Sequence, residues 1–293
     1  MNYSIIIPTH NIPDLLQRLL DSIPVRDDVE VIIVDDNSDP NIVDFDHFPG
    51  QDRPNTKIIF NKEPGRGAGY ARNLGLKAAT GKWLLFADSD DYYVEGFLDV
   101  LDKYINEPID VVYFNYSFID SATKECFPDN QLQKYLGSYQ GAKEQGDYIK
   151  FKNNMPWDKL VRMEYIKSHK MYFEEVKNGN DVLFSLFVAS YCERFAIESA
   201  RLYYYVRTPN SIGTKRQSIA ELQCRIDHMI KHSYFNKMNG HPEWNGSLCK
   251  YLVSLCKQYG KKAFLQLPPR TGINSFLKRD FKKEWVQIIE NHK

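Results

Sequence analysis

Cysteines are few in this chain of 293 residues, and none of them forms a CxxC pair. The five cysteines stand at positions 126, 192, 224, 249 and 256. An odd number without paired spacing argues against a disulfide framework and against a structural zinc site. We therefore interpret all five as core or neutral surface thiols.

Long hydrophobic runs are absent as well. No uninterrupted apolar stretch approaches the roughly 18–20 residues that a membrane-spanning helix needs. The first strand-like run begins at Tyr3, which leaves no room for a secretory signal peptide. These features predict a cytoplasmic protein, and 43% hydrophobic residues predict a globular one.

An excess of charge of one sign is also missing, since 38 Lys and Arg balance 38 Asp and Glu. The overall charge therefore gives no indication of a nucleic-acid partner. The segment 261–283 differs, because it holds seven basic residues and only Asp280 of opposite sign. It is explained either by a solvated helix face or by attraction to an anionic membrane surface or a phosphorylated acceptor. The second explanation predicts peripheral contact with the inner face of the membrane.

What the chain does contain is a regular alternation of strand-like and helical runs over its first 120 residues. The runs read "YSIIIP", "DLLQRLLDSI", "VEVIIVDD", "KIIF", "GYARNLGLKAAT" and "KWLLFAD". This order predicts an α/β fold with a mostly parallel sheet and helices on both faces.

Further along, a strand is predicted at "IDVVYFNYSFI", and helices are predicted at "PWDKLVRMEYIKSH" and "NDVLFSLFVASYC". After Pro209 two longer helical stretches follow, "SIAELQCRIDHMIKHSYFNKM" and "NGSLCKYLVSLCKQYGKKAFL". We therefore divide the chain into 1–120, 121–210 and a helical C-terminal extension at 211–293.

Polar side chains follow three of the predicted strands. Ligands of parallel sheets bind beyond the carboxyl ends of the strands, so these side chains are expected to meet at one edge. They are Pro8, Thr9, His10 and Asn11 after the first strand, Asp35, Asp36, Asn37 and Ser38 after the second, and Asp88, Ser89, Asp90 and Asp91 after the fourth.

The motif "FADSDDYY" places Asp88, Asp90 and Asp91 at the mouth of an apolar strand. Carboxylates held together repel one another and lose hydration, so they need a cation, hydrogen-bond donors or open solvent. Hard oxygen ligands suit Mg²⁺ or Mn²⁺, and substrate phosphates usually complete the coordination. The alternative is a solvated turn that caps the next helix.

A glycine-rich stretch, "EPGRGAGYARN" at 63–73, opens a helix. Its backbone N–H groups, with Arg66 or Arg72, are candidates for phosphate contacts. The stretch does not follow the first strand and lacks the GK[ST] ending of a P-loop, so it is neither a dinucleotide fingerprint nor a Walker motif.

These motifs together resemble family 2 glycosyltransferases with the GT-A fold. The segments "SIIIPTHN", "VEVIIVDDNSDP", "GYARNLGLKAATGKWLLFADSDDYY", "WDKLVR" and "NGNDVLFSL" stand in the family's order. The resemblance is close over residues 3–100 and recognisable to about 210. It implies that 1–120 binds a nucleotide sugar and 121–210 an acceptor. The implied reaction is an inverting hexosyl transfer, usually from a uridine diphosphate (UDP) sugar, to a glycan or lipid-linked acceptor in surface polysaccharide or glycolipid assembly.

The resemblance also assigns roles to residues that bind the donor. Pro8 and Thr9 match the contacts to the base, and Asp36 matches the residue that bonds the uracil or ribose. Arg72 and Asp88 match donor contacts, Asp88 to the ribose or sugar.

The metal and base positions follow from the same resemblance. Asp90 matches the ligand of Mn²⁺ or Mg²⁺, with Asp91 as its rival because the doubled "DD" leaves the register open. Asp181 matches the catalytic base, although Asn180 stands where the family usually has Glu. An N-cap is the alternative role for Asp181.

Two further segments resemble family features. The stretch "YYYVRTPNSIGTKR" at 203–216 is similar to a segment that closes over the diphosphate, with positive charge from Arg207, Lys215 and Arg216 and a hinge at Gly213. A plain loop between domains is equally compatible. Trp157 resembles an aromatic residue near the acceptor, while a core position is the simpler interpretation.

The chemistry agrees with this assignment. Inverting displacement at an anomeric carbon needs a base for the acceptor hydroxyl and stabilisation of the leaving diphosphate. The rival functions are a nucleotidyltransferase and a non-catalytic module that binds a sugar nucleotide. The second would be expected to lose the metal or base carboxylate, and this sequence keeps Asp90 and Asp181.

Overall fold

The computed structural model describes residues 1–63, 65–176, 179–208, 218–242 and 259. Its centre is an eight-stranded sheet in the order β3-β2-β1-β4-β7-β6-β8-β5. The strands are β1 (Tyr3–Thr9), β2 (Val29–Asp35), β3 (Thr56–Phe60), β4 (Trp83–Phe86), β5 (Tyr92–Tyr93), β6 (Val111–Asp120), β7 (Lys159–Arg162) and β8 (Phe195–Arg207).

Eight α-helices accompany these strands in the described ranges. They are α1 (Pro13–Asp21), α2 (Ala68–Ala78), α3 (Phe97–Leu101), α4 (Gln131–Ser138), α5 (Lys143–Lys152), α6 (Met163–Ser168), α7 (Asn180–Tyr191) and α8 (Ile219–Met238). No helix among the described residues is long and apolar enough to cross a membrane.

The sheet is mixed, as predicted. Strands β3, β2, β1 and β4 are parallel. Strand β7 is antiparallel to both β4 and β6, β8 runs parallel to β6, and β5 is antiparallel to β8. All seven residues of β1 are buried, as expected for a parallel strand covered on both faces.

The topology places the polar strand ends together. Strand β1 has β2 on one side and β4 on the other, so the chain reverses its direction of growth across the sheet at β1. Such switch points leave a crevice beyond the carboxyl ends of the strands. Thr9, Asp35 and Phe86, the last residues of the three strands, therefore mark the edge at which a ligand is expected.

One helix prediction is wrong in part. The segment "PWDKLVRMEYIKSH" forms strand β7 before it forms the short helix α6. Lys159, Leu160 and Val161 are buried between β4 and β6. A short apolar run fits a buried strand and a buried helix equally well, so the position in the sheet decided the conformation.

Only part of the predicted C-terminal extension, 211–293, lies within the described residues. Helix α8 confirms the first predicted helix after Pro209. The second predicted helix, apart from Tyr259, and the basic segment 261–283 lie outside the described residues.

Trp157 belongs to an aromatic cluster in the core. It is 2% exposed and stacks on Tyr203 with a ring separation of 4.8 Å. Tyr116 meets it edge to face at 4.8 Å, and Tyr205 lies 5.5 Å away. The core interpretation of Trp157 is therefore correct.

A fully buried ion pair follows Trp157. Lys159 Nζ lies 3.1 Å from Asp158 Oδ1 and donates to Asn153 Oδ1 at 2.8 Å. The second Asp158 oxygen accepts a bond from Asn153 Nδ2 at 2.6 Å. The three side chains form a buried polar network, and Lys159 also donates to the backbone oxygen of Met155.

Removal of one partner of this buried ion pair should destabilise the fold. We expect Asp158→Ala to lower the free energy of unfolding by about 3–5 kcal/mol, since it leaves the Lys159 ammonium uncompensated. The control is Asp129→Ala, which breaks the part-exposed pair with Arg201 and should cost at most about 1 kcal/mol. Urea unfolding measures both; equal losses in the two variants would contradict this account.

Candidate functional site

Asp36 lies directly after β2 at the predicted edge and is held by the glycine-rich loop. Its Oδ1 accepts bonds from Asn61 Nδ2 at 2.9 Å and from the backbone N–H of Arg66 at 3.2 Å. Its Oδ2 accepts the backbone N–H of Gly67 at 2.6 Å. Gly67 has a φ of 89°, a conformation that favours glycine. These amide groups, expected to face phosphate, face the Asp36 carboxylate.

The two carboxylates of "VDDNS", Asp35 and Asp36, make different contacts. Asp35 is buried and accepts bonds from the Ser38 hydroxyl and from the Ser38 backbone N–H, the latter at 3.0 Å. It therefore fixes the turn after β2. Asp36 donates its own backbone N–H to Thr9 O at 2.9 Å, which joins it to the end of β1. Pro8 and Thr9, predicted to contact the base, are thus beside Asp36.

Arg72 connects Asp88, which follows β4, to the start of α7. Its guanidinium is buried; Nη1 donates to Asn180 Oδ1 at 2.6 Å and Nη2 donates to Asp88. The guanidinium carbon lies 5.3 Å from the centre of the Phe173 ring. Its Nε is buried and has no hydrogen-bond partner, so one donor remains for a ligand or a water.

Asp88 is positioned from two sides. Its carboxylate accepts the bond from Arg72 and keeps about 30% of its side chain exposed. Its backbone N–H donates to the Tyr203 hydroxyl at 3.0 Å. Tyr203 in turn stacks on Trp157, so the aromatic core supports the turn that carries the carboxylates.

Asp91 points into the protein. Its Oδ1 accepts the Val206 backbone N–H at 2.7 Å, which ties the turn to β8. Its Oδ2 is buried without a hydrogen-bond partner. Burial, with the negative charges of Asp88 and Asp90, raises the pKa of Asp91 well above its ordinary value. The geometry gives Asp91 a structural contact and leaves Asp90 as the residue directed outward.

Asp90 is exposed, while the Arg18 side chain donates to its backbone carbonyl. The protein around its carboxylate removes part of the hydration, and with the negative charge of Asp88 this raises the pKa of Asp90 to about 6. The positive charge of Arg18 opposes this rise. Asp88 and Asp90 thus offer oxygen ligands for a cation, whose remaining ligands would come from molecules other than the protein.

The carboxylate oxygens of Asp88 and Asp90 suit an ion such as Mg²⁺. Among the described residues, no three His, Cys, Asp or Glu side chains come together to hold a metal. Mg²⁺ is usually bound through one or two carboxylates with substrate phosphates, and Asp88 and Asp90 are of that kind. The alternative of a solvated capping turn is wrong, because α3 starts after Gly96 without a side-chain cap and Asp91 is buried.

Asp181 is the second residue of α7. The N-cap is Gly179, with a φ of 69°, so the N-cap alternative for Asp181 is wrong. Burial and the negative charge of Asp88 raise the pKa of Asp181, while the positive charges of Arg72 and Lys159 oppose the rise. A carboxylate with a raised pKa is a stronger base than an ordinary one.

Three other carboxylates near this region are already engaged. Glu174 forms an ion pair with Lys231 of α8, and Glu175 forms one with Arg66. Asp158 is the buried partner of Lys159. Asp181 is therefore the best candidate for a base in the described part of the chain.

Arg207 lies at the end of β8, where its guanidinium carbon is 4.3 Å from the Phe118 ring centre and 4.6 Å from that of Phe127. The Arg207 guanidinium is thus packed against two aromatic rings. Within the described residues it forms no ion pair with Asp88, whose partner is Arg72. Lys215, Arg216 and Gly213 lie outside the described residues.

Sequence reasoning missed the residues that hold the site in place. Tyr203 was noted only as the first residue of the stretch 203–216, and Asn73 only as the last residue of the glycine-rich stretch 63–73, where it directly follows Arg72 in "YARN". An aromatic residue or an amide carries no chemical signal of its own. Only the pairing of distant segments reveals these contacts.

The raised pKa of Asp90 predicts a pH-dependent stability. Without divalent cations, Asp90→Asn should be more stable than wild type at pH 7, and this difference should disappear as the pH falls below the ordinary pKa of 3.8. The reason is that ionising Asp90 between its ordinary pKa of 3.8 and about 6 costs the folded state free energy.

Asp120→Asn is the control, because backbone N–H groups of Thr123 and Ala122 lower the pKa of Asp120. Its carboxylate stabilises the fold above the ordinary pKa, so this variant should be the less stable one at pH 7 and lose that difference in acid. Melting temperatures in a chelator test both; a pH-independent effect of Asp90→Asn would contradict the prediction.

The sequence matches known proteins over the part of the chain that carries Asp36, Arg72, Asp88 and Asp90, and Asp181 lies beyond the residues that the family model matches. The model of the family described as Glycosyl transferase family 2 matches residues 4–176. Poly(ribitol-phosphate) beta-N-acetylglucosaminyltransferase TarS of Staphylococcus aureus is 28% identical over 218 residues, which are 70% of this chain and 35% of TarS. Putative glycosyltransferase EpsH of Bacillus subtilis is 24% identical over 215 residues, 69% of this chain and 60% of EpsH.

A solved structure shares the fold. The crystal structure of S. aureus TarS 1-349 in complex with UDP-GlcNAc has a TM-score of 0.62, with 20% identity, and the match covers 92% of this chain and 83% of that one. This chain thus spans only part of the curated relatives' length. Because the family model covers more than half of the chain, the protein belongs to glycosyl transferase family 2 and has the GT-A type of fold.

Proposed function

We propose that this protein transfers a sugar from a UDP-sugar, in the presence of Mn²⁺ or Mg²⁺, to an acceptor hydroxyl with inversion at the anomeric carbon. The observation that carries the proposal is the meeting of Asp36, Asp88, Asp90, Arg72 and Asp181 at one edge of the sheet. This edge offers side chains whose chemistry suits a nucleotide, its diphosphate and an acceptor.

The donor proposal rests on the site and on the relatives. Asp36 would accept a hydrogen bond from the uracil or ribose, next to Pro8 and Thr9. TarS is named as an N-acetylglucosaminyltransferase and has been solved with UDP-GlcNAc and with UDP. A UDP-linked hexose or N-acetylhexosamine is therefore the proposed donor class.

The proposed acceptor is a hydroxyl of a cell-surface polymer or of its lipid-linked precursor. TarS is named for the polymer poly(ribitol phosphate), and a Bacillus spizizenii relative, 26% identical, is named poly(ribitol-phosphate) beta-glucosyltransferase. Peripheral binding to an anionic membrane through 261–283 stays a prediction, because that segment lies outside the described residues.

In the proposed reaction the acceptor oxygen attacks the anomeric carbon from the face opposite to the diphosphate. Asp181 takes the proton of that hydroxyl as the new C–O bond forms, and the bond to the diphosphate breaks. Arg72 lies where it can contribute positive charge to the leaving diphosphate. A divalent ion held by Asp90, with Asp88, would supply further stabilisation of that charge when bound.

The metal requirement is tested by calorimetry with UDP. We expect wild-type affinity to fall when Mn²⁺ is replaced by a chelator, and we expect Asp90→Ala to bind weakly in both conditions, because Asp90 would hold the ion that neutralises the diphosphate. Asp120→Ala, at the half-buried end of β6, is the control and should bind like wild type. Equal affinities in all four measurements, of wild type and Asp90→Ala with Mn²⁺ and with chelator, would remove the metal from the mechanism.

The base is tested with Asp181→Asn, which keeps the side-chain shape. Transfer should fall by about 10²- to 10⁴-fold, while UDP affinity stays close to wild type and the melting temperature does not fall. The released product is identified in the same assay. UDP is expected; sugar 1-phosphate, with the uridylyl group joined to the acceptor, would indicate attack on the α-phosphate by a nucleotidyltransferase, and binding without any product would indicate a non-catalytic module. Transfer within a few-fold of wild type would contradict the assignment of Asp181.

A further inference from the structure

Helix α2 holds the segment that leads to the candidate base. Asn73 donates from Nδ2 to the backbone oxygen of Phe173 at 2.9 Å and accepts the backbone N–H of Phe173 on Oδ1 at 2.8 Å. A single amide thus satisfies both backbone groups of one residue, 100 positions away in the chain. Since Phe173 lies outside any helix or strand, these bonds replace the ones that regular structure would provide.

The same face of α2 makes two more contacts with this segment. Gly69, Arg72 and Asn73 are spaced i, i+3 and i+4, so they lie on one side of the helix. A Cβ at Gly69 would come within 2.0 Å of Glu174 O and 2.8 Å of Asn180 Cβ, which shows how closely the backbones approach. Arg72 bonds Asn180, the residue before the base.

The Phe173 ring connects the two sides of the site. It stacks on Phe184 with centres 4.0 Å apart and meets Phe86 edge to face at 5.0 Å. Phe86 ends β4, two residues before Asp88, and Phe184 lies on α7, three residues after Asp181. A shift of Phe173 would therefore move α7 relative to the carboxylates that follow β4.

We propose that Asn73 is a positioning residue for sugar transfer: by clamping the backbone of Phe173, it fixes where Asp181 stands relative to the donor. Asn73 acts through Phe173 and α7 and bonds neither Asp88 nor Asp90. This inference rests on the proposed role of Asp181 and adds to it a residue whose side chain has no acid–base chemistry.

The test is a double-mutant cycle with transfer kinetics, using Asn73→Ala in the wild-type and Asp181→Asn backgrounds and a radiolabelled UDP-sugar for low rates. In wild type, kcat should fall by about 10- to 100-fold with UDP affinity unchanged, since a displacement of about 1 Å can cost that much. In Asp181→Asn the same substitution should cost less than about 2-fold, because no base carboxylate remains to be positioned.

Two controls separate positioning from general destabilisation. Gln133→Ala removes a comparable amide clamp, to Tyr116 O and Asn130 N at 3.0 Å each, and should leave kcat unchanged below its melting temperature. If Asn73→Ala does not fold, Asn73→Asp keeps the bond from the Phe173 N–H, loses the donated one and places a carboxylate oxygen against Phe173 O. It should show a kcat loss with the same non-additivity.

The outcomes distinguish this inference from the proposed function. An equal loss of kcat from the Asn73 substitution in both backgrounds, or a loss of UDP affinity as large as the loss of kcat, would overturn the role of Asn73 while leaving Asp181 as the base. Wild-type transfer by Asp181→Asn alone would overturn both.

Discussion

The buried guanidinium of Arg72 is the interaction on which the arrangement of the site depends. Arg72 bonds Asp88 after β4 and Asn180 at the start of α7, so one side chain spans the two parts of the chain. A buried cation needs such partners, because an unpaired charge away from water is costly. The donor-side carboxylate and the candidate base thereby share one positive charge.

Negative charge is concentrated around this cation. Burial and mutual repulsion raise the pKa values of Asp90, Asp91 and Asp181. The fold tolerates the charge because Asp91 bonds the backbone of β8 and because Arg18 lies beside Asp90. In the proposed reaction, carboxylates that have lost part of their hydration would favour a bound cation and a proton acceptor.

The sequence predicted the parallel strands and their polar ends, because apolar β-branched runs and turn residues are local signals. It could not show which of Asp90 and Asp91 faces outward. Asp91 is turned inward by the pairing of β5 with β8, a strand that lies more than a hundred residues later in the chain. The strand at Lys159–Arg162 was missed for a similar reason: its place between β4 and β6 is a tertiary choice. The two capping alternatives failed because glycines, Gly96 and Gly179, occupy those N-cap positions.

The most direct measurement is a crystal structure of the protein with UDP and Mn²⁺, using anomalous scattering to locate the metal. The account predicts one manganese peak in bonding contact with an Asp90 carboxylate oxygen and the diphosphate, with the uracil beside Asp36. A diphosphate bound away from this edge, or manganese on residues other than Asp88 and Asp90, would contradict it.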